Sequence, residues 1–260
     1  MSSIGKLEKF RQNSTFKCLL QPKMEELFQK DYHLKGRWHK ELFGNSNPIT
    51  LELGCGKGEY TTALAKLHPD RNFIGIDIKG ARLWKGAKMV EEEGIANVRF
   101  IRTSIDFIES LFACGEIEQI WITFADPQLR SPRKRLTGSM FLNRYKKFLN
   151  HSGVIHLKTD SRFLHQYTYA LAQANNLDII CRSTDIYNST FKEDLPQELT
   201  AVQTFYERYF LKMGLPITYL SFKLTDKEGN APTTEFIEPE WDKDFWLQEE
   251  QKGRTGGHIR

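Results

Sequence analysis

Short runs of β-branched and aromatic residues recur along the middle of the chain, and stretches with helical periodicity separate most of them. The runs predict strands at residues 49–55, 72–78, 97–103, 117–125, 153–159, 177–184 and 216–223. The stretches between them predict helices at 57–67, 80–94, 105–114, 138–150, 161–175 and 200–213. Strand–helix alternation of this kind is typical of βαβ units. We therefore predict an α/β fold with a seven-stranded, mostly parallel sheet and helices on both faces.

The two ends of the chain lack this alternation. Residues 1–45 are polar and basic and predict an appendage that is partly helical around 21–30. Residues 224–260 contain prolines and a glycine pair without a convincing period. We predict three parts, namely a basic N-terminal appendage (1–45), a central domain (46–223) and a C-terminal extension (224–260).

The composition is that of an ordinary globular protein, with 40% hydrophobic and 27% charged residues among 260. It excludes collagen-like, disordered and repeat classes. No apolar run reaches the roughly 18 residues of a membrane span, and the start of the chain lacks an apolar signal core. The four cysteines lie far apart, without metal-ligand spacing, which argues against a disulfide framework or a zinc site. We expect a cytoplasmic protein with neither a membrane segment nor a metal.

The net charge is only +4, but the basic residues are clustered. Residues 127–150 hold seven Lys or Arg and no acid, and residues 1–50 hold nine basic against five acidic side chains. Residues 223–260 hold six basic against nine acidic side chains. A charge run is often only a solvated face. Two basic regions balanced by an acidic tail nevertheless favour a polyanionic partner.

The first predicted strand runs into a loop with glycine at alternate positions, Gly54, Gly56 and Gly58. Such a loop turns tightly and lets a ligand approach the backbone, with a helix N-terminus behind it. Its spacing differs from the G-x-G-x-x-G of dinucleotide sites and from a P-loop. Glu52 before the loop suits a cationic or amine-bearing ligand, and Asp77 after the second strand suits ribose hydroxyls. The alternative is a glycine turn with incidental acids.

Together these residues resemble the S-adenosyl-L-methionine pocket of Rossmann-like methyltransferases. That cofactor carries a sulfonium cation, an amino-acid end and a ribose, which match the two acids. The resemblance implies that the exit of the third strand holds the adenine. Either Ser104 or Asp106 could serve there, and the sequence leaves both open.

The fourth predicted strand ends in Ala125-Asp126-Pro127. An acid in this position lies beside the crevice where open α/β sheets place their chemistry. The basic residues that follow are Arg130, Arg133, Lys134 and Arg135. The stretch resembles the F-P-D-P-W-x-K-x-R-H-x-K-R-R-L-T signature of bacterial tRNA (guanine-N7)-methyltransferases. It departs from that signature because Ala125 replaces a proline, Gln128 replaces a tryptophan, Arg130 replaces a lysine, and the basic stretch is shorter.

Two further motifs match the same family. Leu157-Lys158-Thr159-Asp160 ends the fifth strand, where the family carries T-D. Thr204-Phe205-Tyr206-Glu207, followed by Gly214-Leu215-Pro216-Ile217, matches its T-x-Y-E and G-x-P-I block. The motifs occur in the family's order along residues 45–222.

The resemblance implies methylation of N7 of guanine 46 in the variable loop of tRNA. We expect a monomer or a homodimer, and the sequence does not decide between them. The resemblance places Glu52, Asp77, Ser104 and Asp126 in the cofactor and reaction site with the three glycines, and Asp126 is the predicted catalytic residue. The predicted substrate-binding residues are Arg130, Arg133, Lys134, Arg135, Asp160, Thr204, Phe205, Tyr206 and Glu207. For Glu207 and Asp160, the alternative interpretation is a structural one, as a helix cap or a surface acid.

Guanine N7 has a lone pair in the ring plane and no proton, so its methylation needs neither a strong base nor a metal. The enzyme must align N7 behind the methyl group, which is worth about 7–11 kcal/mol. The alternatives are another RNA base methyltransferase, a nicotinamide dehydrogenase and a non-catalytic RNA-binding subunit. The first is disfavoured because the chain lacks the N-P-P-Y that methyltransferases of exocyclic amines tend to carry after the fourth strand. The glycine spacing argues against the dehydrogenase. The non-catalytic subunit is disfavoured because Glu52, Asp77 and Asp126 are all retained.

Overall fold

The computed structural model describes residues 4–189, 195–224 and 234–239. The strands are β1 (Leu19–Leu20), β2 (Ile49–Leu53), β3 (Asn72–Asp77), β4 (Val98–Arg102), β5 (Ile117–Thr123), β6 (Leu149–Thr159), β7 (Asp178–Ser183) and β8 (Thr218–Lys223). The α-helices are α1 (Lys6–Asn13), α2 (Met24–Leu27), α3 (Glu59–Leu67), α4 (Gly80–Glu93), α5 (Ile108–Leu111), α6 (Ser139–Tyr145), α7 (Arg162–Ala174), α8 (Glu198–Ala201) and α9 (Phe205–Lys212). A π-helix covers Trp38–Phe43, and 3-10 turns cover Ile105–Phe107 and Pro132–Lys134.

The strands form one sheet in the order β1-β4-β3-β2-β5-β6-β8-β7. All neighbours from β1 to β6 pair in parallel, whereas β8 pairs antiparallel with both β6 and β7. After β1 at the edge, the chain enters the middle of the sheet at β2 and builds outwards, first through β3 and β4 and then through β5 and β6. The carboxyl ends of β2 and β5 therefore flank the switch point, where ligands bind in open α/β sheets.

Helices cover both faces of this sheet. Along β3, Ile74 and Ile76 belong to one apolar cluster together with residues of α5, α6 and α7. Phe73 points the other way, into a cluster with residues of α3, α4 and α8. Central parallel strands buried on both sides carry nearly continuous apolar runs for this reason. The predicted α/β architecture with a mostly parallel sheet is confirmed.

The predicted number of seven strands is wrong, because β1 adds an eighth at one edge. Its two residues, Leu19 and Leu20, pair with Phe100 and Ile101 of β4. A strand this short has too few residues to display an alternating pattern. The pairing attaches the N-terminal segment to the sheet.

Residues 4–45 differ from the predicted appendage in their packing. Trp38 is fully buried in the main apolar cluster, and its indole N–H donates to the Leu111 carbonyl at 2.8 Å. Helix α1 lies on α4, where Asn13 donates to the Gly80 carbonyl at 2.8 Å. The segment is thus an integral part of the central domain's core. Of the predicted C-terminal extension, only residues 224 and 234–239 lie among the described residues.

Candidate active site at the carboxyl ends of the strands

The loop after β2 is shaped by its three glycines. Their φ angles are +75° at Gly54, +57° at Gly56 and +68° at Gly58, a region that side-chain-bearing residues rarely adopt. A Cβ atom at Gly54 or Gly56 would meet no protein atom within 4 Å, whereas one at Gly58 would lie 2.5 Å from the Phe100 ring. The first two glycines therefore border open space, and the third packs the loop against the sheet.

Glu52 lies at the base of this loop and is only 3% exposed. Its carboxylate accepts hydrogen bonds from the Thr61 backbone N–H at 2.8 Å, from the Thr61 hydroxyl, and from the Thr123 hydroxyl at 2.6 Å. Burial raises the pKa of Glu52 to about 7, against the partial compensation of these hydrogen bonds. A cation brought next to this side chain would favour its charged form.

Asp77, at the end of β3, contacts the glycine loop through its carboxylate. One carboxylate oxygen accepts from the Gly56 N–H at 2.9 Å, and the other accepts from the Lys79 N–H at 2.7 Å. A carboxylate oxygen can accept more than one hydrogen bond, so both oxygens can still accept from ribose hydroxyls. Open space before the glycines, a buried acid and a second acid at the next strand end fit S-adenosyl-L-methionine.

Ser104 and Asp106 stand at the exit of β4. The Ser104 hydroxyl donates to the Asp106 carboxylate at 2.9 Å, and it accepts from the Asp106 N–H at 3.3 Å. Asp106 is exposed and forms an ion pair with Arg144 at 3.2 Å. The two candidate residues thus form one polar unit at this strand end.

The turn after β5 carries Asp126 on a strained backbone. Phe124 and Gln128, on either side of it, both have φ of +50°, and such strain concentrates at functional sites. Asp126 is exposed, and its Oδ1 accepts from the Gln128 N–H at 2.9 Å. Thr123, three residues before Asp126, donates to Glu52. The end of β5 therefore contacts the buried acid Glu52 through Thr123, and it carries the predicted catalytic residue Asp126 three residues later.

The basic loop that follows presents three exposed cations, Arg130, Arg133 and Lys134. The last two lie on the 3-10 turn that begins at Pro132. Since all three are exposed next to the turn of Asp126, they remain candidates for contacts with phosphates.

Arg135 is different, because it is only 2% exposed. Its guanidinium lies 4.5 Å from the Tyr167 ring centroid and 4.9 Å from that of Phe163. It donates to the carbonyls of Pro127 and Leu129, both at 3.2 Å. The predicted role of Arg135 in substrate binding does not agree with this environment. The guanidinium is buried, and its hydrogen bonds stabilise the loop within the protein.

Glu207, also predicted to face the substrate, is fully buried and forms an ion pair with Lys158 of β6 at 2.7 Å. Lys158 further donates to the carbonyls of Leu199 and Val202, at 2.7 and 3.1 Å. Burial lowers the pKa of this lysine, and the neighbouring Glu207 opposes that shift. Removing one partner of such a pair costs about 3–5 kcal/mol. Glu207 therefore anchors α9 to β6 and does not face the substrate. A lysine within an otherwise apolar strand end was the sequence signal that a buried acidic partner exists.

Helix α9 begins with two exposed aromatic side chains, Phe205 at 50% and Tyr206 at 45% exposure. The Lys57 ammonium of the glycine loop lies 4.7 Å from the Phe205 ring centroid and 6.0 Å from that of Tyr206. The Phe205 N–H donates to Glu59 at 2.8 Å. This contact brings the aromatic pair next to the cofactor loop.

The two remaining predicted substrate residues flank helices. Thr204 is buried and caps α9, because its hydroxyl accepts from the Glu207 N–H at 3.2 Å. Asp160 is partly buried and directly follows β6, one residue before the Ser161 cap of α7. In the described part of the chain, no group of three or more His, Cys, Asp or Glu could hold a metal ion, and no helix is long and apolar enough to cross a membrane.

Comparison with known sequences identifies the family. A family model described as putative methyltransferase matches residues 46–220. The tRNA (guanine-N(7)-)-methyltransferase of Christiangramia forsetii is 51% identical, over 86% of this chain and 100% of that protein. The one of Porphyromonas gingivalis is 48% identical over 82% and 84%, and the one of Listeria monocytogenes is 36% identical over 73% and 86%.

Solved structures with a similar fold are also methyltransferases. One, an antibiotic-related methyltransferase, has a TM-score of 0.51 at 17% identity, over 70% of this chain and 90% of that one. Another, the 16S rRNA methyltransferase KamB, has a TM-score of 0.51 at 13% identity, over 72% and 92%. These likenesses show the Rossmann-like class I methyltransferase fold. With the sequence relatives, they lead to the conclusion that the chain belongs to the tRNA (guanine-N(7)-)-methyltransferase family.

Proposed function

We propose that this protein transfers the methyl group of S-adenosyl-L-methionine to N7 of guanine 46 in the variable loop of tRNA. The observation that carries the proposal is the meeting of two different surfaces at the switch point of the sheet. A glycine loop with the covered acids Glu52 and Asp77 lies on one side, and the exposed Asp126 lies on the other. Relatives named for this activity, at up to 51% identity, support the assignment.

S-adenosyl-L-methionine supplies a methyl group on a sulfonium cation. The space before Gly54 and Gly56 admits the cofactor close to the backbone. Asp77 accepts hydrogen bonds from the ribose hydroxyls, and Glu52 balances the cationic end from beneath the loop. Since the pKa of Glu52 is raised to about 7, cofactor binding draws this side chain into its charged form.

Asp126 orients the guanine. A carboxylate accepts hydrogen bonds from the N1–H and N2 amine on one edge of the base, which turns N7 on the opposite edge towards the methyl group. N7 carries no proton, so no general base is required. The enzyme contributes alignment, which can be worth about 7–11 kcal/mol.

The tRNA meets the protein through exposed cations and aromatic rings. Arg130, Arg133 and Lys134 neutralise phosphates of the RNA backbone. Such contacts do not depend on the base sequence. Phe205 and Tyr206 offer faces on which unpaired bases stack, and stacking is worth about 1–3 kcal/mol per base. All these residues belong to one chain, so one protomer carries the whole proposed site, whether it acts as a monomer or within a homodimer. We expect it to act on tRNA in the cytoplasm.

Mass spectrometry of nucleosides tests the proposal. Unmodified tRNA transcripts are incubated with the protein and S-adenosyl-L-methionine, and 7-methylguanosine is the expected product. A matched transcript with adenine at position 46 should accept no methyl group. A different methylated nucleoside would indicate another RNA base methyltransferase. Cofactor and tRNA binding without any product would indicate a non-catalytic RNA-binding protein.

A further inference from the structure

A segment that follows β8 in the chain packs across helices α6 and α7. We call residues 234–239 the C-terminal strap. Phe236 inserts its ring into the main apolar cluster, and its N–H donates to Asn143 of α6 at 3.2 Å. Ile237 exchanges two hydrogen bonds of 2.8 Å with the Asn175 side chain at the end of α7. The strap, which lies beyond the residues that the family model matches, thus joins α6 to α7.

Glu238 of the strap reaches the residues beneath the basic loop. One of its carboxylate oxygens accepts from the Ser139 hydroxyl at 2.7 Å, and the other accepts from the Tyr167 hydroxyl at 2.7 Å. Burial raises the pKa of Tyr167, and the hydrogen bond to Glu238 raises it further, so the phenol keeps its proton and donates. A short hydrogen bond to a carboxylate is among the stronger kinds in proteins.

Tyr167 passes this constraint to the loop through Arg135. The Tyr167 ring lies 4.5 Å from the Arg135 guanidinium, which donates to the carbonyls of Pro127 and Leu129. These carbonyls stand on either side of Gln128, whose N–H donates to the Asp126 carboxylate. The strained φ of +50° at Gln128 needs such support from its surroundings.

We propose that Glu238 is a positioning residue of the methyl-transfer site and acts through Tyr167 and Arg135 on the turn that carries Asp126. The proposal rests on methyl transfer at Asp126 as the protein's function. A displacement of roughly 1 Å at a reaction site can lower the rate about 100-fold, so a modest shift of this turn suffices for a measurable effect.

The test compares Glu238→Ala with the matched control Glu235→Ala. Glu235 is an exposed acid of the same strap, and its side chain makes no hydrogen bond or ion pair with the described residues. We expect Glu238→Ala to lower kcat about tenfold, since alignment errors act on the rate of the aligned complex, while KM for S-adenosyl-L-methionine stays unchanged. Glu235→Ala should match the wild type in both constants. Equal kcat in the two variants would overturn the proposal.

Tyr167→Phe tests the route and deletes a single oxygen, so it serves even if Glu238→Ala fails to fold. It should reproduce the loss in kcat, because the ring remains under Arg135 while the bond to Glu238 is lost. The double variant with Glu238→Ala should lose no more than either single variant, since both cut one connection. Glu238→Gln, which keeps an oxygen for the Tyr167 hydroxyl, should restore part of kcat. Additive losses would contradict the proposed route.

Amide hydrogen exchange gives a readout that is independent of activity. The N–H groups of Gln128, Ser131 and Lys134 are all hydrogen-bonded within the loop. They should exchange faster in Glu238→Ala than in Glu235→Ala, with the amides of β2 and β3 unaffected. Identical loop exchange would overturn the proposal. A wild type that makes no methylated nucleoside would instead refute the proposed function, and the exchange comparison would still decide whether the strap positions the turn.

Discussion

The cofactor side and the substrate side of the site differ in how far the protein itself encloses their charged groups. Glu52 and Asp77 are covered, and both accept hydrogen bonds from neighbouring backbone or hydroxyl groups. Asp126, Arg133 and Lys134 are exposed at the surface. The cofactor side is therefore built within the fold, whereas the substrate side presents a surface that a large partner has to complete.

This difference matches the size of the two ligands. A small molecule can be largely enclosed by a pocket, whereas a tRNA can only dock on a surface, chiefly through its phosphates. The substrate side also carries the strained residues Phe124 and Gln128. The buried side chain of Arg135 donates to the carbonyls on either side of Gln128. The two sides should therefore fail separately when they are altered.

Asp126→Asn should give the largest effect. The amide oxygen can still accept from the Gln128 N–H, and the amide nitrogen then replaces an acceptor that faces the donors of guanine. We expect turnover on tRNA to fall about 100- to 1,000-fold, as when one aligned polar group is removed from a reaction site. Single-turnover kinetics measure this loss, and calorimetry should show unchanged cofactor affinity. Near-normal turnover would remove Asp126 from its assigned role.

Gly56→Val should impair the cofactor side alone. Valine places its side chain in the open space before the loop, and crowding of this kind costs about 1–3 kcal/mol. We expect cofactor binding to weaken roughly 10- to 100-fold in calorimetry. Gly115→Val is the matched control, because Gly115 has a similar φ of +72° and open surroundings near the opposite end of β5. Equal cofactor affinity in both variants would exclude this loop as the binding site.

Changing Arg133 and Lys134 together to alanine should weaken tRNA binding without affecting the cofactor. If each meets a phosphate, the slope of log affinity against log salt should fall by about 1.4–1.8. Filter binding across a salt series measures the slope. Arg82→Ala with Lys212→Ala is the control, since both residues are exposed, lie outside the two basic regions and form no ion pair within the described part of the chain. Parallel lines with equal intercepts for wild type and the Arg133 and Lys134 variant would make the loop a solvated face.

Glu52 should give the smallest effect, a dependence on pH. Its ionised fraction rises from about one tenth to about nine tenths between roughly pH 6 and 8, given a pKa of about 7. Cofactor affinity should rise by up to about tenfold over that range. Stability without cofactor should fall as pH rises from about 4.5 to 7, because the folded state holds the proton more tightly than the unfolded state.

Glu52→Gln removes the titrating group and should flatten both pH profiles. Calorimetric titrations and thermal melts at a series of pH values measure them. Superimposable profiles for the wild type and Glu52→Gln would contradict the role of this carboxylate.

The sequence by itself determined the features that depend on residues close together in the chain. Periodicity located the seven longer strands, and alternate glycines defined the loop that ends β2. The placement of Glu52, Asp77 and Asp126 at one edge followed from a simple rule, since parallel strands bring their carboxyl ends together. The family motifs were also visible in the sequence, and the relatives confirmed the family they indicate.

Only the tertiary structure decided which charged groups are covered. Arg135 belongs to a basic run, yet the rings of Phe163 and Tyr167 enclose it. Glu207 looks like a surface acid of a helix, yet its partner Lys158 lies 49 residues earlier on another element. The burial of a charge depends on partners that are distant in the chain, and no local spacing encodes them. For the same reason the eighth strand and the C-terminal strap became visible only in the folded molecule.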